Sequence, residues 1–158
     1  MDNPSDPAAP DLSGSLSVPG PLDHGGRVVL VTGGTRGVGR GIAGAYRAAG
    51  AEVVVCGRTP PEEEGGPLFV ACDVRDPEAV GALVDGIVDR FGRLDVVVNN
   101  AGGAPSVDSA TASPRFNEKV VALNLLAPLT VAQAANRVMQ AQEAGGSIVN
   151  IASVSATR

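Results

Sequence analysis

Thr32-Gly33-Gly34-Thr35-Arg36-Gly37-Val38-Gly39 is the stretch whose residue types and spacing point most directly to chemistry. Glycine has no Cβ, so a turn with glycines at 33, 34, 37 and 39 lets the backbone approach a bulky anion closely. The turn is entered from the β-branched run Val28-Val29-Leu30-Val31 and left into Gly41-Ile42-Ala43, which reads as a helix. Strand, glycine turn and helix in that order open a nucleotide-binding βαβ unit, where the N–H groups and positive dipole end of the helix face a phosphate. A tight βα connection that binds nothing would need similar glycines, so the later motifs have to decide between the two.

Three of them do so. Asp73-Val74 follows an apolar run, Asn99-Asn100-Ala101-Gly102 follows another, and Ser153 and Ser155 follow a third, Ile148-Val149-Asn150-Ile151. Together with Thr32-Gly33-x-x-x-Gly37-x-Gly39, which resembles the TGxxxGxG signature, and with 99–102, which matches the NNAG motif, they are similar to the short-chain dehydrogenase/reductase family from Arg27 to Arg158. The resemblance implies that Gly33, Gly34, Thr35, Arg36, Gly37, Val38 and Gly39 hold a pyrophosphate and that Asp73, with Val74 beside it, contacts an adenine. It also implies that Asn100, Ala101 and Gly102 line a ribose. Asn124 then holds a water in a proton relay, and Ser153, with Ser155 as its rival, hydrogen-bonds a substrate carbonyl or hydroxyl. Residue chemistry alone also allows Asp73 to cap the next turn and Asn124 to bond backbone. Asn124 lies in the apolar stretch Val120-Val121-Ala122-Leu123-Asn124-Leu125-Leu126, where a buried amide is expected.

Charge bears on the cofactor. A site for NAD(H) places an acid at the end of the second strand, whereas a site for NADP(H) offers arginine to the 2′-phosphate. Gly57-Arg58 stands there, and the glycine turn adds Arg36. An arginine–phosphate pair at about 4 Å and an effective dielectric of about 20 is worth roughly 4 kcal/mol before desolvation. NADP(H) is therefore the expected cofactor, with NAD(H) the alternative and an Arg58 paired only with Glu62, Glu63 or Glu64 the bland reading.

The elements that must position these residues alternate. Strands are expected at Val28 to Thr32, Glu52 to Cys56, Leu68 to Cys72, Leu94 to Val98 and Ser147 to Ile151. A helix runs from Gly37 to about Ala49. A second starts at Asp76-Pro77-Glu78, carries the apolar stripe Val80, Leu83, Val84, Ile87, Val88 and Phe91, and stops at Gly92. A third runs from Ser113-Pro114 to about Glu143, broken just before Pro128. The Pro- and Glu-rich stretch 59–67 is expected to be a loop where the family has a helix. This alternation predicts an α/β fold, a Rossmann-like doubly wound parallel sheet, incomplete at its C-terminal side.

Composition bounds the reading. With 44% hydrophobic and 18% charged residues in 158, one domain is expected, preceded by a disordered Pro/Ser/Gly-rich leader over 1–26 that holds the only histidine, His24, as a solvated residue. A net charge of −5 argues against nucleic acid and anionic membrane as partners. No apolar run is long enough for a membrane span and no signal peptide is evident, so a cytoplasmic enzyme is expected. Cys56 and Cys72 read as buried, reduced thiols, and no metal site is expected. The family's general acid or base is the tyrosine of a Tyr-x-x-x-Lys motif that follows the serine. Tyr46 is the only tyrosine and Lys119 the only lysine, and neither lies in such a motif. The expectation is the N-terminal portion of a longer reductase acting on a small alcohol or ketone, a homo-oligomer when complete, and inactive as these residues alone. A non-catalytic nucleotide-binding module and a non-functional fragment are the competing readings.

Overall fold

In the computed structural model, residues 23–62, 65–108 and 110–153 are described. The elements follow as β1 (Val28–Thr32), α1 (Gly37–Ala48), β2 (Glu52–Gly57), β3 (Leu68–Ala71), α2 (Pro77–Phe91), β4 (Val96–Asn99), α3 (Pro114–Val121), a π-helical turn (Ala122–Leu126), α4 (Ala127–Met139) and β5 (Ser147–Asn150). The five strands are parallel, in the order β3-β2-β1-β4-β5. Strand order therefore reverses at β1, and the crevice beyond the carboxyl ends of β1 and β4 is where an open sheet of this kind takes ligands.

Side chains alternate across β1 because the period of a strand is two. Val28 and Leu30 enter a core with Val80, Leu83, Val84 and Ile87 of α2 and Val131, Ala135 and Met139 of α4. Val29 and Val31 face the other way, onto Ala43 of α1 and Val53, Val55, Val96 and Val98. Both faces of the central strands are thus dry, as an all-parallel sheet requires.

Helix ends follow local chemistry. Asp76 accepts from the N–H groups of Glu78 at 3.0 Å and Ala79 at 3.3 Å, Pro77 opens α2, and Gly92 closes it in the left-handed conformation at φ 75°. The third expected helix is three pieces. Pro128 has no N–H for the carbonyl of Asn124, so the chain widens by one residue before it, and the Ala127 N–H reaches back five residues to the Ala122 carbonyl. The helix stops at Met139, short of the expected Glu143. Gln142 turns inward there, accepting from Leu94 N–H at 2.8 Å and donating to the carbonyls of Leu94 at 3.1 Å and Gly145 at 2.8 Å.

Two further expectations need correction. β4 begins at Val96, two residues later than Leu94, and the residue before it, Asp95, is a buried acid. His24 is not a solvated residue. Its backbone N–H donates to the Ala49 carbonyl at 2.7 Å beyond the end of α1, and its ring meets Tyr46 edge-on with centroids 5.1 Å apart. Residues 1–22 of the proposed leader lie outside the described residues, as does Ser155. The link between β2 and β3 has no helix among its described residues. No helix among the described residues is long and apolar enough to cross a membrane, and no cluster of three or more potential metal ligands occurs among them.

Candidate functional site

Thr32 is the node from which the site is built. Its hydroxyl accepts from the N–H groups of Asn100 and Ala101, both at 3.0 Å, and donates to the Val98 carbonyl at 3.3 Å. Asn100 replies with its amide, which donates to the carbonyls of Thr32 at 2.9 Å and Gly33 at 3.2 Å. The turn after β1 and the turn after β4 are therefore bolted together at the point where strand order reverses.

Gly33 and Gly37 take positive φ, 64° and 55°, which bends the chain over the end of β1. Gly39 is required by space. A Cβ there would lie 2.4 Å from both Asn100 Nδ2 and the Gly33 carbonyl oxygen. At Gly37 an added Cβ would meet nothing within 4 Å, so that surface of the turn is open. The start of α1 differs from those of α2 and α3. Ser113 caps α3 by accepting from Phe116 N–H, whereas Arg36 precedes α1 with no side-chain cap, and the first turn of α1 holds no acid. Its N–H groups and positive dipole end are left for an anion.

These features open onto one cleft of about 770 Å³ beyond the carboxyl ends of β1 to β4. The cleft brings together the turn 33–39, Arg58, Asp73 and Val74, and Asn100, Ala101 and Gly102. Five arginines line it, Arg36, Arg40, Arg47, Arg58 and Arg75, against the acids Glu62 and Asp73 among the described residues. In a chain of net charge −5 this is a local reversal of sign, which concentrates anionic ligands. Arg47 also donates to the Gly65 carbonyl at 3.3 Å, tying the loop between β2 and β3 to α1.

The short chain dehydrogenase family matches this sequence over residues 27–158. The chain belongs to that family. It is similar to L-fucose dehydrogenase of Oryctolagus cuniculus, 41% identical over 139 residues that make up 83% of this chain and 48% of the relative. It is also similar to D-threitol dehydrogenase of Mycolicibacterium smegmatis, 34% identical over 84% of this chain and 54% of that one. Among solved structures, the aldohexose dehydrogenase of Thermoplasma acidophilum superposes with a TM-score of 0.77 at 32% identity, over 82% of this chain and 50% of the other. The chain spans about half the length of the curated relatives it matches.

The two residues expected to act on a substrate do not line the cleft. Asn124 is exposed, which corrects the expectation of a buried amide, yet its amide is engaged. Its Oδ1 accepts from Gly103 N–H at 2.8 Å, and its Nδ2 donates to the carbonyls of Gly103 at 3.0 Å and Val120 at 2.9 Å. The π-helical turn and the loop after the NNAG motif are stapled by that one side chain. Ser153 is exposed just beyond β5, whose neighbour Ile151 donates its N–H to the Asn99 carbonyl at 2.9 Å. Asp73 is held below the usual carboxylate range, at about 2, by hydrogen bonds from Arg75, with the charges of Arg75 and Arg58 adding to them against the opposing effect of burial. Cys56 and Cys72 are free, buried thiols on the cleft wall, and the adjoining Cys72 sulfur together with burial pushes Cys56 well up. Sequence reasoning missed Arg40, Arg47 and Arg75. Only for Arg75 was there a signal, its place two residues after an acid.

Proposed function

We propose that this chain is the cofactor-binding portion of an NADP(H)-dependent oxidoreductase that moves a hydride between nicotinamide and a small alcohol or ketone. The observation that carries the reading is the uncapped start of α1 beneath the glycine turn, facing a cleft lined by five arginines. Residues 33–39 would hold the diphosphate, Asn100, Ala101 and Gly102 the nicotinamide-side ribose, and Asp73 and Val74 the adenine. Arg36 and Arg58 would take the 2′-phosphate, for which no acid competes at Gly57. A Cβ at Gly57 would make ordinary contact with the Thr35 side chain at 3.7 Å, so a residue other than glycine is not excluded there by its Cβ.

When bound, the cofactor supplies or accepts the hydride. Ser153 would hydrogen-bond the substrate oxygen, and Asn124 would fix the loop at Gly103 and the helix beside it. The cleft as described contains no tyrosine or lysine. That favours a second reading for these residues by themselves, a nucleotide-binding module without turnover. Buried reduced thiols suit a reducing compartment such as the cytoplasm, and the complete protein is proposed to be a homo-oligomer.

The test is a fluorescence titration of the chain with NADPH and with NADH, repeated on Arg58→Ala. Tighter binding of NADPH is expected, with about tenfold of that preference lost in the variant, equivalent to roughly 1.4 kcal/mol. Equal affinities in the parent chain would remove the NADP(H) assignment, and no binding of either would remove the whole reading.

A further inference from the structure

Cys56 and Cys72 are a pair of nucleophilic side chains on the cleft wall that hydride transfer leaves unused. Cys56 stands opposite Val70 in the β2–β3 ladder and Cys72 lies two residues further on, so the period of a strand turns both side chains to the same face of the sheet. Both enter the core that holds Leu30 and Val54. The Cys72 N–H donates to the Gly57 carbonyl at 3.0 Å, which keeps the residue beside β2 although β3 itself ends at Ala71. The pair is uneven. Hydrogen bonding from the adjoining Cys56 thiol lowers Cys72, whereas the same contact and burial raise Cys56. Cys72 is thus the readier nucleophile, with a protonated thiol next to it.

We propose that Cys56 and Cys72 are an oxidation site for hydrogen peroxide entering the cleft, and that the disulfide they form weakens dinucleotide binding by moving the turn that carries Asp73 and Val74. The Cys72 thiol gives up its proton and its sulfur attacks one peroxide oxygen; the O–O bond breaks, hydroxide leaves with that proton as water, and a sulfenic acid forms. The Cys56 sulfur then attacks the Cys72 sulfur. The S–S bond forms as the S–O bond breaks, and the departing hydroxide takes the Cys56 proton as water, so two thiols lose two electrons and one peroxide becomes two waters. Bonded sulfurs sit closer than sulfurs in contact, so one backbone has to give. Cys56 lies within β2, paired on both sides, and its carbonyl accepts from Gly33 N–H at 2.8 Å, whereas Cys72 leads into a turn. The movement therefore falls on Asp73 and Val74, and its effect on binding rests on the reading of the cleft as a dinucleotide site.

The experiment treats the folded chain with hydrogen peroxide and follows intact mass, peptide maps and NADPH titration, for the parent sequence, Cys56→Ala and Cys72→Ala. The parent is expected to lose two hydrogen atoms, to yield a linked pair of peptides carrying Cys56 and Cys72, and to bind NADPH about tenfold more weakly, within the usual range of coupling between sites. Dithiothreitol is expected to reverse all three. In Cys56→Ala the reaction stops at a Cys72 sulfenic acid, which dimedone traps, and in Cys72→Ala peroxide leaves NADPH affinity where it was. Thiols that react only in urea overturn the proposal, as does a link between two chains in place of one within a chain. An oxidised parent that binds NADPH as tightly as the reduced one also overturns it. A reduced chain that binds no NADPH overturns the effect on binding together with the dinucleotide reading, and the mass measurement tells that failure apart from failure of the disulfide.

Discussion

Asp95 holds the amino-terminal edge of the sheet with one buried carboxylate. Its Oδ2 accepts from Val28 N–H and from Arg93 Nε, both at 2.8 Å, its Oδ1 is paired with Arg93 Nη2, and Arg27 lies 4.0 Å away. Burial alone would raise its pKa. Arg93, the Val28 N–H and the charge of Arg27 outweigh that and lower it. A carboxyl lower in the folded than in the unfolded chain stabilises the fold above its unfolded value, about 3.9, and that contribution is lost as pH falls through the folded value. The urea midpoint is therefore expected to hold between pH 7 and 5 and to drop below about pH 4. Asp95→Asn, which has no proton to gain, is expected to be weaker at pH 7 by about 3 kcal/mol and flatter below pH 4. Equilibrium unfolding at several pH values measures both. Residues of this kind explain what was legible in the sequence. The need for glycine at 33, 37 and 39 shows in the residue type itself, and the spacing of those glycines is readable without a fold. Asp95 has Val28 as its partner 67 positions away, so it does not announce its role until the chain is folded.

The same distinction holds for elements. Both ends of α2 were legible because Asp76, Pro77 and Gly92 act within a turn of themselves. The end of α4 was not, since Gln142 finds its partner on Leu94. Pro128 marked the break in the long helix, whereas the form of the break, a widened turn with Asn124 inside it, depends on the loop at Gly103. Nδ2 of Asn124 occupies the Val120 carbonyl, four residues back, while Oδ1 and the second amide proton bind Gly103. Asn124→Leu is near in volume and removes all three bonds. It is expected to cost about 2 kcal/mol, a discounted sum for exposed hydrogen bonds. It is also expected to speed amide exchange at Gly103 and its neighbours while leaving β1 and β4 protected. Exchange measured by mass spectrometry separates that local loosening from global destabilisation, in which β1 and β4 would lose protection together with the loop.

At the scale of the whole molecule, the two sides of the sheet end differently. Toward β3, the cleft and its arginines crowd the carboxyl ends, while on the other side β5 is the edge strand among the described residues, with Val149 41% exposed and Ile151, just beyond it, 44%. The helical stretch from α3 through the π-helical turn into α4 adds Val121, Leu125 and Leu129, exposed by 45%, 62% and 52% and spaced four apart in sequence. Single exposed apolar side chains are ordinary, but three on one helical stretch and an open parallel edge are surfaces that water does not favour. Electrostatic repulsion from a net charge of −5 opposes association only weakly at physiological ionic strength, where charges are screened beyond about 8 Å. Light scattering after size-exclusion chromatography is therefore expected to show self-association that increases with concentration. Leu125→Glu combined with Leu129→Glu is expected to return the chain to a monomer, because two carboxylates cannot be buried unpaired in a like-with-like contact. If the helix variant still associates and Val149→Lys does not, the sheet edge is the contact and the helix face is not.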